Sequence, residues 1–230
     1  AAVKRVGIGI FEDPEKVIAR AVAAGDTIEV FCYCRPGIVK GKPSHASVHF
    51  RESAQPEQAM IDDLMNGSID AAVRGTLPAN ATLKALKVAE GVDHLERIAL
   101  LETADGKKFL LTPVGVDEGW TVPEKLELIR KGKVIAKKFG LPEKTGILSG
   151  GRLGDIGRHK QVDASLAEAE LVAKLSGSVH CEILIEDAIE SCGLIIAPDG
   201  ISGNLIFRTL TFLGAGYGHG APVVNIRRIF

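Results

Sequence analysis

The sequence predicts an α/β protein whose doubly wound, mostly parallel sheet is covered by helices in three layers and carries one antiparallel hairpin. Three observations predict this class. Strand-like and helix-like segments alternate along almost the whole chain. Apolar residues make up 46% of the 230 residues and aromatic residues only 5%, which is typical of helices packed on strands that are buried on both faces. An Asp105-Gly106 turn between two β-rich runs is a strong hairpin signal.

In the first part of the chain, proline marks the start of helices and glycine their end. The predicted strands are Val3–Ile10, Ile28–Cys34 and Ile69–Val73, and the predicted helices begin at Pro14, at Pro56 and, behind an Asn80 N-cap, at Ala81. The stretch between Pro36 and Ser53 is polar, and we expect it to be irregular.

In the second part, the hairpin precedes further strand and helix units. The predicted hairpin strands are Ile98–Leu101 and Phe109–Val114, and the later strands are Lys144–Leu148, Gly193–Ala197 and Pro222–Ile229. The predicted helices run from Pro123 to about Phe139, over Val162–Leu175 and over Leu205–Leu213. We expect Ala164, Ala167, Leu171 and Leu175 to form one apolar helix face. The last helix is apolar on every side, so we expect it to be buried.

Residues 1–230 are expected to form either one α/β unit or two lobes that share a cleft, with the hairpin region at about 95–115 at the lobe junction. The formal net charge is −1, so no overall field attracts nucleic acid or an anionic membrane. No apolar run approaches the ~20 residues that cross a bilayer, and no signal peptide is visible. With four cysteines, a reduced cytoplasmic protein is the simplest interpretation.

Cys32 and Cys34 share one face of a predicted strand. They are either half of a metal or redox site or two small buried hydrophobic residues, and the second interpretation is favoured because structural zinc sites use paired motifs. His45 and His49 look polar and exposed, and we predict no metal site.

Ligands of doubly wound sheets bind where strands end at their carboxyl side. That rule selects three loops, Arg74–Asn80, Ser149–His159 and Asp199–Asn204. A glycine run between Gly214 and Gly220 does not fit a dinucleotide fingerprint, because it follows a helix and precedes a strand.

The Ser149–His159 loop combines anion-binding groups with flexible backbone. Glycines at 150, 151, 154 and 157 allow close approach of a ligand and inward-turned amides, so we include Gly150 and Gly151 in the site. Arg152 and Arg158 offer forked donors to phosphate or carboxylate, and Ser149 offers a hydroxyl. Asp155 is suited to orient an arginine and His159 to act as acid or base. Arg152, Asp155 and His159 are the catalytic candidates; the alternative is a flexible surface loop with solvated charges.

The Asp199–Asn204 loop ends at a predicted helix start. With Ser202 as the N-cap, the amides of Gly203, Asn204 and Leu205 would present the positive end of the helix to a phosphate. An ordinary capped helix without a ligand explains the same residues equally well.

The Arg74–Asn80 loop carries a weaker signal. Arg74 leaves a buried strand beside Thr76, which suits contact with an anion, but an ion pair with a carboxylate such as Asp70 is the alternative.

Taken together, these segments resemble the phosphate acetyl- and butyryltransferases from about Asp62 onward. Ile195–Leu205 is similar to that family's F-P-D-L-N-T-G-N-I segment, which is the most specific part, and Thr145–Ser149 is similar to its A-M-L-S-F-S-T segment. Residues 200–210 and 219–222 resemble the Mtx subunit X group of methanogens, whose name assigns it to a methyltransferase.

The resemblance implies a fold like that of the isocitrate and isopropylmalate dehydrogenases, a homodimer, and coenzyme A as a possible co-substrate. Two departures concern activity. Ser149-Gly150-Gly151-Arg152 replaces the family's Ser-Phe-Ser-Thr and introduces an arginine. In the family, a catalytic Ser-Arg pair and an Asp follow the strand that corresponds to the end of this sequence at Phe230.

Three functions are therefore compared. The first is a transferase that holds a small phosphate or acyl-phosphate-type anion in a cleft between lobes. The second is a subunit of a methyltransferase complex in methanogen one-carbon metabolism, although the sequence contains no S-adenosylmethionine loop or corrinoid-binding motif. The third is a non-catalytic anion- or nucleotide-binding regulatory protein.

Overall fold

The computed structural model describes residues 2–230, which divide into two compact units. The first unit comprises the described residues up to Asp93 together with Ile226–Phe230, and the second is His94–Asn225. Each unit has its own mostly parallel sheet with helices on both faces, and the second contains the antiparallel hairpin. The predicted fold class is confirmed.

The first unit is built on four parallel strands in the order β3-β2-β1-β4. Its elements are β1 (Arg5–Ile10), α1 (Pro14–Ala24), β2 (Glu29–Cys34), β3 (Val48–Glu52), α2 (Pro56–Asn66), β4 (Ala71–Val73) and α3 (Ala79–Glu90). Val17 and Ala21 of α1 share a buried cluster with Cys32 and Cys34. On the other face, Met60 of α2 lies close to Gly7, where a side chain would not fit.

Two local expectations for this unit were wrong. Strand β3 lies inside the stretch expected to be irregular; it is an edge strand on which only Val48 is buried, so it lacks a strong apolar signal. Helix α3 begins at Ala79 with Pro78 as its N-cap, so Asn80 lies inside the helix.

The second unit has six strands in the order β10-β5-β6-β9-β7-β8. Its strands are β5 (Ala99–Glu102), β6 (Lys108–Thr112), β7 (Thr145–Ile147), β8 (Val179–His180), β9 (Leu194–Ile196) and β10 (Tyr217–Gly218). Its helices are α4 (Val122–Lys138), α5 (Lys160–Ser176), α6 (Ile185–Ala188) and α7 (Gly200–Arg208). A 3₁₀ turn lies at Leu153–Asp155 and a π-helical turn at Thr209–Leu213. Helices α4 and α5 pack on one face of the sheet, and α6 and α7 pack on the other.

Three expectations for the second unit were wrong. The buried face of α5 is formed by Leu166, Ala169, Val172 and Ala173, whereas all four residues of the predicted apolar face are exposed. The last helix is not buried, since Leu205 is 59% exposed and Phe212 67%. Residues 222–229 form isolated bridges rather than a strand, and the edge strand is β10 instead.

Strand β8 and helix α6 were not predicted. Both are too short, at two and four residues, to show a sequence period. Among residues 2–230, no helix combines the length and apolar character needed to cross a membrane.

Candidate functional site

The candidate site lies at the carboxyl edge of the second unit's sheet. Strands β6, β9, β7 and β8 are parallel neighbours in that order, so the segments that follow them emerge at the same edge. The amide of Leu148 donates to the carbonyl of Ile196 at 2.8 Å, which joins the starts of two of the predicted loops. The 149–159 and 199–204 stretches therefore begin on adjacent strands.

Side-chain acceptors hold the backbone of the Ser149–His159 loop. The amide of Gly150 donates to Ser165 Oγ at 2.8 Å, and the amide of Arg152 donates to Asp155 Oδ2 at 2.8 Å. The amide of Leu153 donates to Glu182 Oε1 at 2.6 Å, and that of Gly157 donates to Asp163 Oδ1 at 2.8 Å. Four amides are thus used within the protein, and the loop presents side chains rather than a cradle of amides to solvent.

Asp155 accepts hydrogen bonds from both arginine residues of this loop. Its carboxylate accepts the Arg152 amide, and its Oδ1 accepts from Nη1 of Arg158 at 2.6 Å. The backbone hydrogen bond from Arg152 and then the Arg158 guanidinium lower the pKa of Asp155 below its usual value. The Arg152 side chain itself is exposed to solvent. Arg158 is 76% exposed and shares its charge with Asp155.

His159 is the N-cap of α5. Its Nδ1 accepts from the amide of Gln161 at 3.2 Å, so Nδ1 carries no proton in this arrangement. The neutral ring therefore carries its proton on Nε2, which can donate it to a ligand.

Ser149 is buried, with 1% exposure, and its hydroxyl is engaged on two sides. Its Oγ lies 3.0 Å from the carbonyl oxygen of Gly151 and 2.8 Å from Nε2 of His180. Nδ1 of His180 lies 2.8 Å from Oε1 of Glu170 on α5. His180 and Glu170 were missed, because β8 is too short to be detected and Glu170 lies on an exposed helix face.

The start of α7 differs from the prediction. Asp199, not Ser202, is the N-cap, and its carboxylate accepts the Ser202 amide at 2.7 Å. The Gly203 amide donates to the carbonyl of Asp199 at 3.0 Å, so it is not open to a ligand. The amides without an intrahelical acceptor are those of Gly200 and Ile201, one turn earlier than expected.

The glycines of α7 allow close packing on the segment that follows β6. A Cβ on Gly200 would lie 1.7 Å from the carbonyl oxygen of Gly115, and one on Gly203 would lie 1.8 Å from that of Pro113. The side-chain amide of Asn204 donates to the carbonyl of Val114 at 2.8 Å. Gly203 and Asn204, predicted as anion ligands, therefore hold α7 against residues 113–115.

A buried ion pair supports the same segment. Glu118 is fully buried in its side chain and accepts from Nε of Arg97 at 2.9 Å and from the amide of Gly115 at 3.1 Å. Arg97 precedes the antiparallel strand β5, so it also lies at this edge of the sheet. Neither residue was predicted, since the pair is 21 residues apart and shows no local motif.

Arg74 and Thr76 belong to the first unit. Arg74 donates through Nη1 to the carbonyl of Leu77 at 2.8 Å. Thr76 Oγ1 accepts from the amide of Phe11 at 2.8 Å and donates to the carbonyl of Glu12 at 2.8 Å.

The alternative partner suggested for Arg74 was wrong. Asp70 pairs instead with Arg5, whose Nη2 lies 3.0 Å from Oδ1. Arg5 lowers the pKa of Asp70 to about 2.

Potential metal ligands and thiols do not form a further centre. Within residues 2–230, no group of three or more His, Cys, Asp or Glu side chains is arranged to hold a metal ion. Burial raises the pKa of Cys32 to about 12 and that of Cys181 to about 11, so both thiols are protonated at neutral pH.

A pocket of about 360 Å³ lies beside the Ser149–His159 loop. Its walls include Leu153, His180 and the carboxylates of Glu170, Glu182 and Asp187. Three carboxylates disfavour an anion inside the pocket, so the surface around Arg152 is the more suitable place for a phosphate.

Comparison with known proteins adds the following findings. No protein-family model matches the chain. A protein of Methanosarcina acetivorans named Mtx subunit X is 42% identical over 235 residues, which covers 98% of this chain and 82% of that protein. A protein of Methanosarcina barkeri with the same name is 47% identical over 184 residues, covering 78% of this chain and 68% of that protein. The shared name classes both with methyltransferases.

Among solved structures, a branched-chain phosphotransacylase from Enterococcus faecalis has a TM-score of 0.70 and covers 99% of this chain and 91% of that chain. A phosphotransacetylase from Streptococcus pyogenes has a TM-score of 0.67, covering 98% and 87%. Sequence identities of 15% and 13% mean that this likeness concerns the fold alone.

Proposed function

Because the chain belongs to the Mtx subunit X family and has a phosphate acyltransferase-like fold, we propose that it is a transferase that binds a phosphate or acyl-phosphate-type anion at the carboxyl edge of its second sheet. The observation that carries the proposal is the exposed Arg152 on a loop whose backbone is held by Asp155 and Glu182. A guanidinium on a fixed loop binds an anion with little loss of backbone freedom.

Charge favours Arg152 as the main anion contact. The Asp155 carboxylate offsets the charge of Arg158, so Arg158 is the weaker of the two cations. The amides of Gly200 and Ile201 contribute the partial positive charge of a helix start. Ser149 takes part through the loop backbone, because its own hydroxyl is already engaged.

In an acyl transfer of this kind, a thiol attacks the acyl carbon, the bond from that carbon to the phosphate oxygen breaks, and phosphate leaves with the electron pair. Arg152 would offset the negative charge on the departing phosphate. The ring proton of His159 is on Nε2, so His159 is the candidate acid that protonates the departing phosphate, and the thiol proton passes to solvent. Coenzyme A as that thiol is supported by the family resemblance only, and no residue is assigned to it.

Arg152→Ala tests the proposal. Loss of one charge-assisted contact should weaken binding of inorganic phosphate by roughly 10- to 100-fold. Titration calorimetry with phosphate and acetyl phosphate measures the affinity, and thioester formation from coenzyme A and acyl phosphates of increasing chain length measures turnover.

The matched control is Arg130→Ala. Arg130 is an exposed arginine of the same unit that pairs with Glu127 on α4, so its loss should leave phosphate affinity unchanged. Equal phosphate affinity in wild type and Arg152→Ala, or no phosphate binding by the wild type, would contradict the proposal. Phosphate binding without turnover on any acyl phosphate would favour the non-catalytic regulatory function.

A subunit of a methyltransferase complex is the second candidate. The observation in its favour, besides the names of the relatives, is the exposed apolar surface of α7 and the following π-helical turn, where Leu205, Phe212 and Leu213 are 59%, 67% and 84% exposed. Apolar patches of this kind mark protein interfaces. Co-purification with methyltransferase subunits would support this function, whereas a stable homodimer in light scattering would favour a second copy of the chain as the occupant of the patch.

A further inference from the structure

We propose that His180 is a positioning residue of the anion site: its buried imidazole links Glu170 to Ser149 and thereby fixes the peptide group that carries Arg152. The inference rests on the proposed function, since it concerns the same arginine. It assigns a role to two residues, His180 and Glu170, that lie outside the loop itself.

The geometry is a continuous chain of hydrogen bonds. The His180 side chain is 6% exposed, and its Nδ1 and Nε2 are each 2.8 Å from an oxygen, on Glu170 and Ser149 respectively. Ser149 Oγ lies 3.0 Å from the carbonyl oxygen of Gly151. The chain therefore runs from helix α5 through the end of β8 to the loop that follows β7.

The bond to Gly151 controls the direction of Arg152. The carbonyl of Gly151 and the amide of Arg152 belong to one planar peptide group. Ser149 binds its oxygen, and Asp155 accepts from its nitrogen at 2.8 Å. With both sides of the plane held, the Cα of Arg152 and the start of its side chain are fixed relative to the sheet.

Counting hydrogens identifies the form of His180 that completes this chain. The Gly151 carbonyl can only accept, so the single Ser149 hydroxyl proton goes to it, and Nε2 of His180 must then donate to Oγ. Nδ1 faces a carboxylate and must donate as well. All three bonds coexist only when the imidazole is doubly protonated.

Carboxylates line the pocket beside the imidazole. Glu170 contacts the ring from α5, and Glu182 and Asp187 line the same pocket from the segment after β8 and from α6. Cys181, also in the pocket wall, is a neutral thiol at neutral pH because burial raises its pKa to about 11. With a neutral ring protonated on Nδ1, Nε2 would accept the Ser149 proton in place of Gly151, and Ser149 would no longer hold the peptide group.

The test uses sulfate as the probe, because its charge stays constant where phosphate itself titrates. Sulfate affinity of His180→Ala should be lower than that of the wild type by roughly 3- to 10-fold, the effect of one hydrogen bond. His180→Gln places an amide donor near the position of Nε2, so it should restore binding.

His219→Gln is the matched control. His219 is a histidine of the same unit whose Nε2 pairs with Glu102 at 2.6 Å on the β10 edge, and its loss should leave sulfate affinity unchanged. Thermal unfolding of each variant separates loss of binding from loss of fold. Hydrogen exchange of the Arg152 amide, followed without any ligand, should be faster in His180→Ala than in the wild type.

The outcomes distinguish the two proposals. If the wild type binds sulfate and His180→Ala binds it equally well, the role of His180 is overturned while the proposed anion site stands. If the wild type binds neither sulfate nor phosphate, the proposed function fails. In that case unchanged Arg152 exchange in His180→Ala overturns the positioning role, and faster exchange supports the fixed peptide group alone.

Discussion

Glu118 lies within the segment that supports the first turn of α7, with its carboxylate fully enclosed and hydrogen bonded to Arg97 and Gly115. A buried carboxylate is stable only while a cation and hydrogen-bond donors accompany it. Arg97, which lies 21 residues before Glu118 in the sequence, provides the positive charge. This pair therefore ties the antiparallel strand β5 to the edge of the sheet where the candidate site lies.

Replacing Glu118 by Gln tests that role. The neutral amide removes the charge that pairs with Arg97, and its NH2 group must face either Arg97 or the Gly115 amide, both of which are donors, so the free energy of unfolding should fall by about 2–4 kcal/mol. Urea denaturation measures it. The control Glu127→Gln removes an exposed partner of Arg130 and should leave the free energy of unfolding nearly unchanged. Equal stability of the two variants would show that Glu118 does not hold the segment.

Asp70 makes the first unit sensitive to acid. Arg5 lowers its pKa to about 2 from an ordinary value of 3.8, so the folded state favours the ionised carboxylate. The resulting stabilisation is complete above the ordinary value and is lost as pH falls through the folded value. In Asp70→Asn, the decline in melting temperature between about pH 4 and about pH 2 should be shallower than in the wild type. An identical acid profile would mean that the pair adds no stability.

At the scale of elements, the start of α7 depends on the absence of side chains at two positions. Gly200 and Gly203 are one helical turn apart and both face the carbonyl groups of the 113–115 segment. A backbone carbonyl oxygen cannot move aside to make room for a Cβ atom, whereas the end of a flexible side chain can. The glycines in this segment are therefore needed for packing rather than for contact with a ligand.

Gly203→Ala should destabilise the protein although alanine is the better helix former. A Cβ 1.8 Å from the Pro113 oxygen forces α7 away from the sheet, at a cost of about 1–3 kcal/mol beyond the roughly 1 kcal/mol that helix propensity returns. Gly154→Ala is the control, since a Cβ there meets no atom within 4 Å. Equal or higher melting temperature for Gly203→Ala would contradict the close approach.

Elements differ in how far sequence reveals them. Helices with proline at their start and glycine at their end, such as α1 and α2, were predicted within a residue or two. The apolar face of α5 was wrong, because alanine and leucine occur on both sides of that helix and only packing on the sheet selects one of them. Edge strand β3 and the short strand β8 do not have buried side chains on both faces of the sheet, so their sequences show no run of apolar residues.

At the scale of the whole molecule, the last residues of the sequence, Ile226–Phe230, return to the first unit. The amide of Ala72 donates to the carbonyl of Ile229 at 3.0 Å, and Glu90 accepts from the amides of Arg227 and Arg228 at 3.3 Å. The second unit is a single continuous segment, His94–Asn225. A strand was predicted for this last segment of the sequence. The sheet that the segment contacts is set by long-range interactions, which local sequence patterns do not encode.

The sequence by itself determined the alternation of strands and helices, the hairpin around Asp105-Gly106 and the loops at the strand ends, because each depends on local periodicity and turn chemistry. Only the tertiary structure decided that β7 and β9 are neighbours, that Asp199 caps α7, and that His180 and Glu170 reach Ser149. The pairing of β7 with β9 and the bond between His180 and Ser149 join residues far apart in the chain. The cap is local, but Asp199 and Ser202 are both good capping residues, and only the packing of α7 decides which of them begins the helix. These energies depend on burial and on which donors meet which acceptors, which a linear pattern does not contain.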